Sequence, residues 1–370
     1  MRIKQNVAQV LCCLFCIVVV GMFLGCSANN EDSTSTANDR TKTYSWKMVT
    51  TWPKNLPALG VAPERFASMV ETMSDGRLNV KVYAAGELVG AMEVFDSVSS
   101  GAAEMGHGAA YYWTGKAPAA ALFTTVPFGM NAQEMNAWLS YGGGLELWRE
   151  LYEPFDLIPF VCGNSGVQMA GWFNVEINSL EDLKGLKMRI PGLGAEVMKR
   201  AGAAPQLLPA VEIFTSLQTG VIDATEWVGP YNDLTLGLYQ IAKYYYYPGW
   251  HEPNAAIELI VNRSAFEQLP TDLQKIVEVA ASAINQDMLN EFTARNNAAL
   301  QTLLNEHGVE LRPLPDEVVN RLREISAEIL DEVAANDPLS KRIVESYKQF
   351  HHEVRQWSAI SEEAYFNVRE

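Results

Sequence analysis

The sequence predicts an α/β protein of two domains braced by one long helix, and three observations predict it. Strand and helix patterns alternate as β-α-β-α-β from Tyr44 to Trp113, the order that builds a parallel sheet with crossover helices. A helical pattern then runs almost unbroken from Thr271 to His307. At ~1.5 Å per residue it spans roughly 50 Å or more, longer than one domain of this size. Finally, 370 residues with 48 % hydrophobic and 19 % charged side chains suffice for two cored domains and are too polar for a polytopic membrane protein.

The chain opens with a targeting segment. Arg2 and Lys4 precede an apolar run from Val10 to Leu24, closed by Gly25-Cys26. The run is short for a bilayer-spanning helix, which needs about 20 apolar residues, and reads as a signal peptide over 1–25. Cysteine after Leu-Gly resembles a lipoprotein lipobox, with Phe23 where that pattern usually has Leu. Cys26 is then the expected lipidation site, and 26–43 a polar tether to the membrane; an uncleaved signal anchor is the alternative.

Tyr44–Thr51 alternates and is rich in aromatic and β-branched residues, a first strand. Ala62–Ser74 is helical, with Phe66, Met69, Val70 and Met73 on one face. Leu78–Tyr83 is a strand, Glu93–Ser99 a helix, and Glu104–Gly108 a short strand or loop. Asn131–Gly142 and Gly144–Leu151 read as helices, Leu157–Phe160 and Gly166–Phe173 as strands. Ser179 caps a short helix start. Leu186–Ile190 is a strand, and Pro191-Gly-Leu-Gly194 opens a helix over Ala195–Ala201, a junction whose free N–H groups attract anions. Glu212–Gly220 is helical and Ala224–Val228 a strand. In the long helix Leu273, Ile276, Val277, Ala280, Ile284, Met288, Phe292, Ala299 and Leu303 form a stripe, with Thr271 placed to cap and Gly308 to stop. Val309–Arg312 is a strand, and Pro315–Ala335 and Leu339–Trp357 are helices.

Net charge is −16, which argues against nucleic acid and anionic membrane surfaces as partners. Cys12, Cys13, Cys16 and Cys26 belong to the leader, so Cys162 alone lies in the body, and neither a disulfide nor a thiolate metal cluster can form there. No nucleophile elbow, His-Glu-x-x-His zinc motif or Walker loop occurs. The chain reads as a binder rather than a catalyst.

Binding groups concentrate between Gly220 and Asn254. Glu226 and Glu252 offer carboxylates, and Trp227, Tyr231 and Trp250 flat walls with a polar tip. Arg189, on a strand before Pro-Gly, can present a planar fork to a carboxylate; a surface ion pair is the plain alternative. Gln168 sits in a strand of period two, open to either face. If Arg189, Gln168, Glu226 and Glu252 converge on a monocarboxylate, the set carries two excess negative charges. Each like-charge pair at about 4 Å costs about 4 kcal/mol at an effective permittivity near 20. A cation relieves this, and oxygen donors suit Na⁺ or Ca²⁺ rather than zinc.

These stretches resemble the substrate-binding proteins of tripartite ATP-independent periplasmic (TRAP) transporters, DctP-type. Lys187–Gly192 is similar to that family's signature, whose Arg binds the substrate carboxylate. Gly163–Trp172, Asp223–Asp233 and Tyr244–Glu252 resemble the 2-oxoacid and lactate branch. The resemblance covers Trp46 to the C-terminal helices and implies a two-lobe periplasmic binding protein fold with the ligand cleft between lobes. It puts lobe 1 at 44–160, completed by part of 255–310, lobe 2 at 161–254, and the bracing helix at 271–307. The C-terminal helices at 315–370 become a candidate dimer element; packing on their own chain is the alternative. It implies that Arg189, Gln168 and Trp227 touch substrate, with Tyr112 and Asn164 completing the pocket. Glu226, Glu252, Gln168 and Trp227, the last through its carbonyl, hold a Na⁺ or Ca²⁺ that bridges the ligand. The implied function is capture of pyruvate, lactate or a related monocarboxylate for membrane permease subunits, by a periplasmic lipoprotein that meets the membrane only through its lipid. A receptor for a C4-dicarboxylate or sugar acid, or a secreted keto-acid enzyme using Glu226 or Glu252 as base, are the alternatives.

Overall fold

The computed structural model describes residues 42–369. The signal segment 1–25, Cys26 and nearly all of the tether lie outside the described residues. In chain order the strands are β1 (Tyr44–Thr50), β2 (Leu78–Tyr83), β3 (Met105–Gly108), β4 (Leu157–Asn164), β5 (Gly171–Phe173), β6 (Lys187–Arg189), β7 (Ala204–Gln206), β8 (Ala224–Thr225), β9 (Tyr244–Tyr247), β10 (Ala256–Asn262) and β11 (Glu310–Pro313). They form two sheets, ordered β2-β1-β3-β10-β4 and β11-β9-β5-β8-β6-β7. The result is a mixed α/β fold of two lobes.

In the first sheet β1 pairs in parallel with both β2 and β3, as the N-terminal alternation predicts. β10 departs from an all-parallel sheet. It inserts antiparallel between β3 and β4, because it enters from the second lobe. All seven of its residues are buried. With every residue buried, polar Glu258 and Asn262 included, it shows no alternation by which a sequence marks a strand.

Besides the long helix between β10 and β11, two short connections cross between the sheets. One runs from the end of β4 through 165–170 into β5, the other from β9 through 248–255 into β10. The strand expected over Gly166–Phe173 is therefore shorter, Gly171–Phe173. The preceding N–H groups go elsewhere: Gln168 N donates to Glu252 O, Met169 N to Val228 O and Ala170 N to Tyr246 O. The two crossings touch so closely that a Cβ on Gly249 would lie 2.1 Å from Gln168 O, so only glycine fits there.

The long helix is Thr271–Asn305, with Pro270 rather than Thr271 at its N-cap. Its buried stripe matches the predicted one except that Ile276 is half-buried and Ala281 is added. It packs on the helix Ala62–Met73 and on β4 in the first lobe, and on the helix Pro230–Leu236 in the second. The helix after β6 begins at Gly192, earlier than expected, so Pro191-Gly-x-Gly lies mostly inside its first turn. Among the described residues no helix is long and apolar enough to cross a membrane.

Glu258, at the centre of β10, is fully buried. It accepts hydrogen bonds from the Trp113 indole and, at 3.0 Å, from the Tyr152 hydroxyl. Burial pushes its carboxyl up to about 7, against the lowering effect of those donors. The folded protein thus keeps a proton that the unfolded chain gives up near 4.5. This contribution to stability is complete below that pH and is lost as pH rises to about 7. It is on the order of 3 kcal/mol. Glu258→Gln keeps the shape and cannot ionise. Denaturant unfolding at pH 5 and pH 7.5 is expected to show a smaller fall in stability for this variant than for wild type. An unchanged fall would mean that Glu258 ionises freely in the fold.

Candidate ligand and cation site

The crossings and strand ends bring the predicted residues together. Arg189 ends β6, and Glu226 follows β8, the neighbouring strand. Glu226 N donates to Arg189 O, which fixes the two backbones together. Arg189 is 1 % exposed and Glu226 0 %. Arg189 Nη1 pairs with Glu226 Oε1 and donates to Glu226 O at 3.2 Å. Its Nε donates to Leu208 O at 3.1 Å. The Trp227 ring stacks on the guanidinium, 5.0 Å from ring centroid to Cζ. Burial disfavours the Arg189 charge, but Glu226 and the surrounding acids hold its pKa above the usual value.

Gln168 comes from the first crossing, His251 and Glu252 from the second. Gln168 Nε2 donates to Glu252 Oε2 at 2.7 Å and to Ser165 Oγ at 3.1 Å. His251 Nε2 lies 3.3 Å from Glu226 Oε2. Burial and then the Glu226 charge push the Glu252 carboxyl well above its ordinary range, against Arg189, Gln168 and Tyr111, which favour ionisation.

Tyr111 and Tyr112 arrive from the first lobe, on a 3₁₀ turn after β3. Trp52, Tyr111, Tyr112, Ser165, Gln168, Arg189 and Trp227, with Leu59, Val228, Ala255 and Ile257, line a narrow cavity whose free space is about 10 Å³. That is about the room one water needs, so the walls are already drawn close around the site. Tyr231 and Trp250 do not form the walls expected of them, since the Tyr231 hydroxyl donates to Glu291 Oε1 at 3.1 Å and the Trp250 ring stacks on Phe128. Asn164 does not join the wall either. Its Oδ1 accepts from Gly166 N at 2.9 Å and its Nδ2 donates to Asn254 Oδ1 at 3.3 Å, so it secures the first crossing from behind.

Three buried polar atoms here have no protein partner: Arg189 Nη2, Gln168 Oε1 and His251 Nδ1. Unpartnered buried groups are rare and costly, and these define the chemistry the site can accept. Arg189 Nη2 is a cationic donor on the cavity wall, suited to a carboxylate oxygen. The fork expected of Arg189 is thereby narrowed, since Glu226 and Leu208 already occupy Nη1 and Nε. Gln168 Oε1 is an acceptor suited to a cation. Glu226, His251 and Glu252, all buried, each offer one ligand atom, and these atoms lie within 4.8 Å of one another. Two carboxylates, an amide oxygen and an imidazole fit a small cation, which would balance the two acids facing one arginine.

Sequence reasoning missed Trp52, Tyr111, Ser165 and His251. His251 had one signal, its place beside Glu252 in a segment already rich in donors. Tyr111 and Ser165 had a similar one, beside Tyr112 and inside Gly163–Trp172; Trp52 had none, because the lobes meet there through tertiary packing alone.

The family model for DctP, bacterial extracellular solute-binding protein, family 7, matches residues 48–337. A monocarboxylate 2-oxoacid-binding periplasmic protein of Nostoc sp. is 43 % identical over 337 residues, which are 91 % of this chain and 92 % of that protein. A TRAP periplasmic solute-binding protein of Pseudoalteromonas atlantica, solved with bound sodium and pyruvate, superimposes with a TM-score of 0.87 at 45 % identity over 89 % of this chain and 100 % of its own. Another, from Colwellia psychrerythraea with bound calcium and pyruvate, gives 0.86 at 44 % identity over 88 % and 99 %. The chain belongs to the DctP family, family 7 of the bacterial extracellular solute-binding proteins.

Proposed function

We propose that this protein captures a small monocarboxylate, a 2-oxoacid such as pyruvate or the related lactate, together with Na⁺ or Ca²⁺, and hands it to TRAP permease subunits. The observation that carries this reading is the unpartnered Arg189 Nη2 in a small closed cavity beside the Glu226–His251–Glu252 cluster. The ligands of the two solved relatives support it. In this reading Arg189 and Gln168 meet the ligand, while Trp227 and Tyr112 wall its alkyl end. Glu226 and Glu252, with Gln168 and His251, hold the cation. Residues around the two crossings and the long helix act as the hinge on which the lobes close. The receptor performs no chemistry on its ligand.

The test is a thermal-shift panel of short 2-oxo and 2-hydroxy acids, C4-dicarboxylates and sugar acids, with and without Na⁺ and Ca²⁺. The expected result is a rise in Tm with pyruvate or lactate only when cation is present. A response confined to dicarboxylates or sugar acids would reassign the ligand. Conversion of pyruvate, followed by NMR, would overthrow the receptor reading.

We further propose lipidation at Cys26 and dimerisation through the C-terminal segment. The helix Pro338–Ile360 packs on its own chain through Ile343, Val344 and Tyr347. Beyond them Trp357, Ile360, Tyr365 and Phe366 are 55–74 % exposed, an apolar end of the kind that marks an interaction surface. Light scattering is expected to give a dimer for wild type and a monomer for Trp357→Ser/Ile360→Ser; a wild-type monomer would count against it. Cys26→Ser is expected to release the protein from membranes. Wild-type protein found free in the periplasm, processed elsewhere, would remove the anchor.

A further inference from the structure

Asn232 sits on the helix Pro230–Leu236 and is 0 % exposed. Its neighbour Asp233 clamps that helix to the second lobe. Asp233 Oδ2 accepts from Trp172 Nε1 of β5 at 2.9 Å and from the Tyr245 hydroxyl of β9 at 2.7 Å, and Oδ1 accepts from Val228 N at 3.4 Å. Asn232 uses both ends of its amide in two directions. Oδ1 accepts from Trp227 Nε1 at 3.3 Å, and Nδ2 donates to Pro57 O, in the first lobe, at 2.8 Å. The amide can be oriented only one way. An indole N–H offers no acceptor and a carbonyl no donor, so a flipped amide would mismatch both.

Both partners bear on the ligand cavity. Trp227 lines it and stacks on Arg189. Pro57 belongs to the tight segment after β1, whose Trp52 and Leu59 also line the cavity. That segment is rigid. Asn55 and Ala58 hold positive φ, and a Cβ on Gly60 would lie 2.4 Å from Pro53 O. It is also tied into the first sheet, since Trp52 Nε1 donates to His107 Nδ1 at 2.8 Å, and His107 Nε2 in turn meets Cys162 O at 3.0 Å. Across the gap the Trp52 and Trp227 rings meet edge to face, centroids 6.3 Å apart. Opening the lobes must break the Asn232–Pro57 bond and part these rings.

We infer that Asn232 is a positioning residue, a latch that joins the wall of the ligand site to lobe closure and sets how long the ligand stays. The inference rests on the receptor reading above. Asn232 touches neither the cation cluster nor Arg189. It orients the Trp227 indole in one lobe and holds the Pro57 strap of the other, so closure and a correctly placed wall occur together. A residue in this position slows release without adding to the encounter, which occurs with the lobes apart.

Two variants separate its bonds. Asn232→Ala loses both, whereas Asn232→Asp keeps an acceptor for Trp227 Nε1 and loses the donor to Pro57 O. Stopped-flow fluorescence with pyruvate and Na⁺ is expected to show dissociation roughly 10- to 100-fold faster in both variants, from the loss of one buried bond and the stranding of its partner. Association should stay within about threefold, and the Na⁺ concentration for half-saturation should stay unchanged. A merely structural loss would instead lower the active fraction at an unchanged release rate. Spin labels at exposed Leu88 and Val211 report the lobe separation without any ligand, with wild type populating the short distance and both variants shifted to longer ones. If wild type does not bind pyruvate, the receptor reading fails, and the label distances alone decide the latch. Wild-type dissociation rates in Asn232→Asp, or label distances identical to wild type where pyruvate does not bind, would overturn it.

Discussion

Arg189→Lys is expected to weaken pyruvate binding by roughly two to four orders of magnitude while leaving the protein folded. The charge is kept, so the size of the effect comes from geometry. Arg189 has three tasks on three nitrogens: Nε on Leu208 O, Nη1 on Glu226, and Nη2 facing the cavity. An ammonium is a single point. Drawn to Glu226, it leaves the ligand carboxylate without a donor; drawn to the ligand, it leaves a buried carboxylate unpaired. It also loses the flat face on which Trp227 stacks. Arg189→Ala is a different experiment. It leaves Glu226 as an uncompensated buried charge, which costs about 3–5 kcal/mol of stability, so its lost binding would not be interpretable. Calorimetric titration of Arg189→Lys, with circular dichroism to verify the fold, decides the matter. An affinity within about threefold of wild type would remove Arg189 from the ligand site and leave it as a structural partner of Glu226.

What could be read from the sequence divides by the range of the forces involved. The helix Thr271–Asn305 was legible because its stripe is local and repeats for ten turns. Arg189 was legible as a candidate because a strand running into Pro-Gly marks a chain end where side chains gather. Its tie to Glu226 was not, because the two residues lie 37 apart in sequence and meet only through the parallel pairing of β6 with β8. β10 escaped because full burial erases the alternation that identifies a strand. Gln168 was placed on a strand and lies instead on a crossing, since Gly166 adopts φ +66° and the N–H groups after it bond to three different segments. Convergence of Glu226 with Glu252 came only through the family resemblance. His251 and Asn232 stood inside quoted motifs, yet their roles depend on which atom faces which neighbour, and no periodicity reports that.

Removing the cation is expected to lower the affinity for pyruvate by two orders of magnitude or more, and Glu226 and Glu252 are the reason. With both ionised, Arg189 balances one of them and nothing balances the other. A ligand carboxylate then enters against an uncompensated buried charge. At about 4 Å and an effective permittivity near 20, one such pair costs about 4 kcal/mol, nearly three orders in Kd. Without cation the protein relieves this partly by keeping Glu252 protonated, the direction in which burial and Glu226 push it. Na⁺ leaves the liganded set with one negative charge and Ca²⁺ leaves it neutral, so both should restore binding, from donors that include Gln168 Oε1. Glu252→Gln is the cleaner variant, because Glu252 bonds Gln168 and leaves the Arg189–Glu226 pair intact. Its affinity should fall less on cation removal than that of wild type, since one repulsive charge has gone and an oxygen remains for Gln168. Glu226→Gln should show the same trend with a larger loss of stability, as it strips Arg189 of its counter-charge. Trp227→Phe should alter the wall and leave the cation dependence unchanged. The measurement is isothermal titration with pyruvate in cation-free, Na⁺ and Ca²⁺ buffers at matched ionic strength. Equal affinity in all three, with the protein metal-free by elemental analysis, would make Glu226 and Glu252 structural acids and end the cation assignment.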